Sequence, residues 1–279
     1  MRDARPASTV EALLRYAGLA LMVGLTIGPF LWLLSTALKS PAESIHAFPP
    51  ALLPAEPTLA NFGRVLESQP FGRYLLNSAL VAVLAVGCNL TLSSLAGYAL
   101  ARMAFRGRTA VFAVLLAAMM LPFQLLMIPI YELALALGLH NTRLGLVLPH
   151  ACTAFGVFFM RQAFAGVPPA LEEAALVEGV SRWRIWWHVM LPLVKPALAT
   201  LAIFGFIGVW GDFLWPLIVV DDPRLFTLPL GVNRLASAFS MDWRLVAAGT
   251  VLSVLPILLV FIFSQRWFIA GAMKGAVKG

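Results

Sequence analysis

Glu173, Ala174 and Ala175, then Gly179, then Leu191-Pro192, form the stretch of this sequence whose residue types and spacing point most clearly to one kind of chemistry. A carboxylate accepts hydrogen bonds, and alanine and glycine let a second surface come close. A glycine at a helix end also permits the left-handed turn that closes it. This is the chemistry of docking, and the residues for bond-breaking are lacking. There is no H-E-x-x-H and no G-x-S-x-G, and His46, His140, His150 and His188 show no metal-ligand spacing. Asp221-Asp222 is a paired carboxylate, but adjacent residues followed by Pro223 read as a turn. None of Lys39, Lys195, Lys274 or Lys278 lies in G-x-x-x-x-G-K-[ST], so nucleotide hydrolysis would have to occur on another chain.

The docking residues need a short helix to present them. Pro168-Pro169 can open one over 169–178, because proline is tolerated in the first turn. Glu172 and Glu173 then sit near its positive end, where the helix dipole favours carboxylates, and Gly179 caps the other end. Such a helix is a rod of roughly 15 Å. A second helix is expected from Ser181 as N-cap to Met190, ended by Pro192. Trp183, Trp186, Trp187 and Met190 share one face of it, which suits either an interfacial aromatic anchor or the chain's own core.

Around this segment the chain is built for lipid. It has 279 residues, 61% hydrophobic and 12% charged, against about 25% charged in soluble domains. No Asp, Glu, Lys or Arg occurs in 16–38, 74–101, 109–131, 144–160, 196–211 or 245–265. A spanning helix needs about 17–25 apolar residues, and the fifth window reaches that only if extended past Asp212 to Val220. An all-α membrane protein of six transmembrane helices follows. With the N-terminus inside, segments 1–15, 102–108, 161–195 and 266–279 hold 13 Lys or Arg against 5 Asp or Glu, and the outside segments 7 against 8. That charge bias favours N-in, C-in and accounts for the basic balance without nucleic acid. A single membrane domain, 1–279, is expected, with its cytoplasmic segment at 168–192. External loops are expected at 39–73, proline-rich and irregular but with a short helical piece near Asn61, and at 212–244, with a short external link at 132–143. The first apolar run reads as a retained anchor, and Cys88 and Cys152 as small thiols buried between helices. Gly87, Ser93, Ser94, Ala96 and Gly97 fit close helix packing.

Glu173-Ala174-Ala175, three residues, Gly179, nine residues, then Val189-Met190-Leu191-Pro192 resembles the EAA signature of ABC importer permeases, with valine where the family usually has isoleucine. Leu121-Pro122-Phe123-Gln124, Ile128-Pro129-Ile130-Tyr131, Trp210 to Pro216 and the terminal Gly275 to Gly279 are similar to the carbohydrate-uptake branch, in particular its maltose-type second permease. The resemblance implies a type I importer fold in a bacterial or archaeal cytoplasmic membrane. It also implies a second, different permease, two ATPase subunits that hold ATP and Mg, and an extracytoplasmic solute-binding protein. No cofactor would be bound by this chain. Glu172, Glu173, Ala174, Ala175, Gly179, Leu191 and Pro192 would form the ATPase-coupling segment, and the tail at Lys274, Gly275 and Lys278 would touch the ATPases. The loop near 221–243 would face the binding protein. Gly211 stands where relatives often carry asparagine, which weakens a polar role there.

For the solute pathway the candidates are aromatic faces at Tyr131, Trp210, Phe213 and Trp215, with Gln124, Asn77, Asn89 and Asp212 as polar partners. The same residues also suit interface belts and packing. A sugar or polyol is the expected solute. Arg224, Arg234 and Arg244 raise the alternative of an anionic solute such as a glycerol phosphate. An ion-coupled carrier is the other alternative, and it would need ionisable groups within the membrane, where Asp212 and His150 stand out. The topology is checked by labelling intact cells with an impermeant maleimide after both cysteines are replaced by serine. Asp222→Cys should label from outside and Arg106→Cys only after permeabilisation.

Overall fold

The computed structural model describes residues 9–45, 47, 51–237 and 242–276, and every regular element among them is helical. Three single helices are long and apolar enough to cross a membrane: Val10–Leu38, Phe71–Arg102 and Trp243–Gln265. Three bent pairs can supply the rest, giving up to 6 spans. The chain divides into two compact units, Met1–Pro70 with Val232–Leu252, and Phe71–Gly231 with Ser253–Gly279. This division is finer than the single domain read from the sequence.

In the first unit, α1 (Thr9–Leu38) is an apolar rod whose end is closed by α2 (Ala60–Ser68). Buried Asn61 donates from Nδ2 to the carbonyls of Ala37 at 2.9 Å and Lys39 at 2.8 Å. A helix C-terminus leaves such carbonyls without partners. Lys39, only 1% exposed, donates to the Ala51 carbonyl at 2.8 Å, with Glu43 at 3.9 Å and the Trp32 ring at 5.3 Å. Arg244 donates to the Glu43 carbonyl and pairs with Asp242 at 3.3 Å. The described part of the proline-rich loop before α2 is therefore irregular, and Lys39 and Arg244 bind its carbonyls.

The second unit is organised by α3 (Phe71–Arg102), a rod of about 48 Å, which packs chiefly against α7 (Ala154–Ala165) and α11 (Lys195–Trp210). At Gly97 a Cβ would lie 2.7 Å from the Arg161 nitrogen and 2.8 Å from Met160 Cβ. At Gly156 it would lie 2.5 Å from Ser93 Oγ and 2.8 Å from Asn89 Oδ1. Only glycine allows the two backbones this close, as in small-residue packing of membrane helices. The expectation for Gly87 is corrected, since a Cβ there meets nothing within 4 Å. Cys88 and Cys152 are corrected too: both are exposed, Cys88 on α3 and Cys152 in the bend before α7, where lipid or a partner, and not this chain, can surround them.

Three expected spans are broken. The 109–131 window becomes α4 (Arg108–Met119) and α5 (Phe123–Ala136), set at 106°, because Pro122 takes an extended conformation (φ −64, ψ 137) and stops the first helix. The 144–160 window becomes α6 (Arg143–Val147) with a 3₁₀ turn Leu148–His150, bent 43° from α7. Helix α11 ends at Trp210, and the apolar extension to Val220 is the separate α12 (Leu214–Val219). Two of the segments read as loops contain helix. Helix α5 takes up part of 132–143, and 212–244 contains α12, the turn Pro223–Leu225, α13 (Leu228–Ser237) and the start of α14 (Trp243–Ala276). The glycine contacts give a direct check. Gly97→Leu should destabilise the detergent-solubilised chain by about 3 kcal/mol or more. Gly87→Leu should be neutral or stabilising by up to about 1 kcal/mol, both followed by thermal unfolding.

Candidate functional site

The EAA-like residues fall on α8 (Pro169–Val177), with Glu178 as its C-cap. Gly179 follows with φ +75, a left-handed conformation open to glycine at no steric cost. Gly179 N–H donates to the Leu176 carbonyl at 3.0 Å and Val180 N–H to the Ala175 carbonyl at 3.1 Å. This is the paired closure of a Schellman end. Ala175 and Val180 pack against the core cluster of Tyr98, Met160, Phe164, Ile185, Trp186 and Met190. The rest of the helix faces outward: Leu171, Glu173, Ala174, Leu176, Val177 and Glu178 are all exposed, Val177 at 88%.

Glu172 departs from this pattern. It is 6% exposed and is the buried residue of α8 among the described residues. Its Oε1 accepts from the Tyr98 hydroxyl at 2.7 Å, and Arg102 and Arg182 each approach the carboxylate to 3.7 Å. Arg102 also donates to the Phe164 carbonyl at 2.6 Å and to the Val167 carbonyl. Glu172, grouped by resemblance with the docking residues, is thus occupied inside the chain, and the outward carboxylates are Glu173 and Glu178. Sequence reading missed Tyr98 and Arg102. The available signal was Arg102 at the end of a charge-free window, a cation in need of a nearby anion.

The second helix differs from its expected form. It opens as α9 (Arg182–Ile185), widens into a π turn at Trp186–Met190 and continues through α10 (Leu191–Leu193), breaking at Val194 before α11. Pro192 does not end it, since the helix runs on through Leu193. The aromatic stripe is split. Trp186 and Met190 are buried, while Trp183 and Trp187 are 62% and 55% exposed, with the Trp183 and Trp186 rings 4.8 Å apart. Core packing holds for Trp186, whereas Trp183 and Trp187 face outward. Leu191 is half-buried and Pro192 exposed.

The pathway candidates divide in the same way. Asn77 is buried and donates to the Arg224 and Phe226 carbonyls at 2.9 and 3.0 Å. Trp210 donates to the Ser253 carbonyl at 3.0 Å and Trp215 to the Gly145 carbonyl at 2.8 Å, both from buried indoles. These three are spent on the fold. Gln124 is exposed, and Tyr131 and Phe213 are half-buried. Asp212 and His150, the two ionisable groups in otherwise apolar stretches, partner each other at 3.0 Å, and Asp212 also accepts from Trp215 N–H at 3.3 Å. Asn89 Oδ1 accepts from Ser93 at 2.8 Å and from the Thr153 N–H at 3.1 Å. Asn89, His150, Thr153, Phe155, Phe204 and Gly205 line a cleft of about 190 Å³. Arg224 grips Asp222 at 2.7 Å and holds its carboxyl below the usual carboxylate range. Arg244 pairs with Asp242 in the same way, so both arginines already have a carboxylate partner within the chain. In the tail, Lys274 and Gly275 lie on the α14 backbone, and Lys278 lies outside the described residues.

The profile of the family described as "Binding-protein-dependent transport system inner membrane component" matches residues 90–273. The chain is 35% identical over 281 residues to the arabinooligosaccharides transport system permease protein of Halalkalibacterium halodurans, covering 99% of each. It is 34% identical over 269 residues to the lactose transport system permease protein of Rhizobium radiobacter, covering 95% of this chain and 96% of that one. A chain of a bacterial ABC transporter involved in the import of the acidic polysaccharide alginate superposes with a TM-score of 0.83 at 24% identity, over 96% of this chain and 100% of that chain. The likeness establishes the type I importer permease fold.

The split stripe can be tested by truncation. Trp186→Ala should cost about 3–5 kcal/mol in thermal unfolding of the solubilised chain. Trp183→Ala and Trp187→Ala should each cost about 1 kcal/mol.

Proposed function

The chain belongs to the family of binding-protein-dependent transport system inner membrane components, and from that premise we propose that it is one half of the membrane pathway of an ATP-driven sugar importer. A second, different permease completes the pathway. Two ATPase subunits carry ATP and Mg on the cytoplasmic side, and a binding protein delivers solute from outside. The relatives' names carry arabino-oligosaccharides and lactose, so the solute class is an oligosaccharide or a related sugar. Gln124, Tyr131 and Phe213, which retain exposed surface, are the pathway residues best able to meet it. Lys274, Gly275 and Lys278 are proposed as a secondary ATPase contact.

The observation that carries the reading is the outward face of α8. Leu171, Leu176 and Val177 are apolar and exposed on a nine-residue helix flanked by Glu173 and Glu178. That helix lies outside the charge-free windows, so the bilayer is not what covers it. A cleft on a soluble partner would bury the apolar side chains and hydrogen-bond the carboxylates. Ala174 and the turn at Gly179 keep the approach open, since a Cβ at Gly179 meets nothing within 4 Å but would be strained by its positive φ. Closure of the ATPases on nucleotide would then displace α8 and rock the permeases between inward- and outward-facing states.

Reconstituted with its partners in proteoliposomes, the chain should support uptake driven by ATP with no ion gradient imposed. Gly179→Asp and Ala174→Trp should each reduce uptake to background, while membrane insertion, checked by alkaline extraction, persists. Normal uptake by both variants would defeat the docking role.

A further inference from the structure

Helix α8 has a spare attachment to the rest of the chain. Its link to α7 is the short run Gly166 to Pro168, and its link to α9 is the run Gly179 to Ser181. Its apolar side chains mostly face away, and only Ala175 is packed against the core cluster. What enters the interior is the Glu172 carboxylate. It meets Tyr98 and Arg102 on α3 and Arg182 on α9, while Arg102 holds the last carbonyls of α7 and the residues after it. Groups from α3 and α9 therefore converge on one anion carried by α8, and Arg102 links it onward to α7.

We propose that Glu172 is the positioning residue that delivers displacement of α8 to the transmembrane helix α3, and that it is distinct from the contacts made with the ATPase. The proposal rests on the docking role of α8. An apolar contact at this point would slide, because burial is non-directional. A buried carboxylate resists sliding, since moving α8 would leave an anion without its hydroxyl and its two guanidinium groups. Replacing such a buried group by an apolar one of similar volume is often neutral for stability, so its value here lies in geometry. The hydroxyl fixes distance and direction to α3 at a point close to the C-terminal end of that helix, four residues before Arg102. From there α3 runs unbroken to Phe71, and a tilt at one end is carried along it. Asn89, which lines the cleft beside His150, lies on this same rod.

The test uses the complete importer in proteoliposomes and reads solute imported per ATP hydrolysed. Tyr98→Phe removes the hydroxyl and keeps the charge, whereas Glu172→Gln keeps a hydrogen-bond acceptor and removes the charge. In both, the ATPase subunits should copurify as they do with the parent chain. Uptake should fall about tenfold further than binding-protein-stimulated hydrolysis, within the 5–150-fold range of ordinary coupling energies. The double variant should be little worse than Glu172→Gln alone, because the two changes break one network. An unchanged import-to-hydrolysis ratio would overturn the proposal, and so would loss of the ATPase subunits from the purified complex, which would make Glu172 a docking contact. Should Glu172→Gln fail to accumulate, Tyr98→Phe carries the measurement alone. Ala174→Trp in parallel separates the two claims: its normal uptake would remove the docking reading and the proposal together. Its failure beside an unchanged ratio in Tyr98→Phe would remove the proposal only.

Discussion

The closeness of two backbones, α3 and α7, governs most of the second unit. Gly97 sits on Met160 and Arg161, and Gly156 on Ser93 and Asn89, with no room for a further carbon at either place. Lipid gives helices no hydrophobic reason to associate, so dispersion and hydrogen bonds at short range must do it. Here both are present: Tyr98 stands edge-on to Phe164 at 5.6 Å, and Asn89 gathers the Ser93 hydroxyl and the Thr153 amide on one oxygen. The same approach brings Arg102 within reach of the Phe164 carbonyl and so creates the cationic floor on which the Glu172 carboxylate rests.

From that floor outward the chain changes character. Buried side chains are apolar or hydrogen-bonded, and they define a fixed frame. The face of α8 is the opposite, with apolar and acidic groups facing away from the core. A polypeptide without nucleotide-binding residues can still take part in an energy-driven cycle if it offers a grip and a stiff shaft. On the proposed reading, helix α8 would be the grip and the unbroken α3 the shaft. At the other end, the Asp212–His150 pair and the Asn141 side chain, which accepts from the Asp221 and Asp222 amides at 3.2 and 3.0 Å, tie the broken helices together.

Much of this architecture could be read from residue order alone. Charge-free windows located the apolar segments, and Pro168-Pro169 with Gly179 delimited α8 to within a residue, because those signals are local. The breaks at Pro122 and at Gly211 were harder. A window of hydropathy has no direction, so a right-angled pair and a straight rod look alike. Burial within the chain was harder still. Cys88, Gly87 and most of α1 are apolar and yet outward, since in lipid an apolar residue need not face its own core. The aromatic stripe failed as a single object for another reason: a π turn at Trp186–Met190 alters the phase that a 3.6-residue repeat assumes. Pairings such as Tyr98 with Glu172, or His150 with Asp212, join positions more than sixty residues apart, and no local pattern reports them.

Helix α1 has a consequence for how the molecule is made. Its most apolar window has 0% of its residues buried inside the chain, so little that this chain adds later is needed to hold that stretch in the bilayer. It can leave the ribosome and settle there early, a first stake in the ground. Asn61 then needs only to find the carbonyls of Ala37 and Lys39 for the following loop to be tethered to a rod already in place.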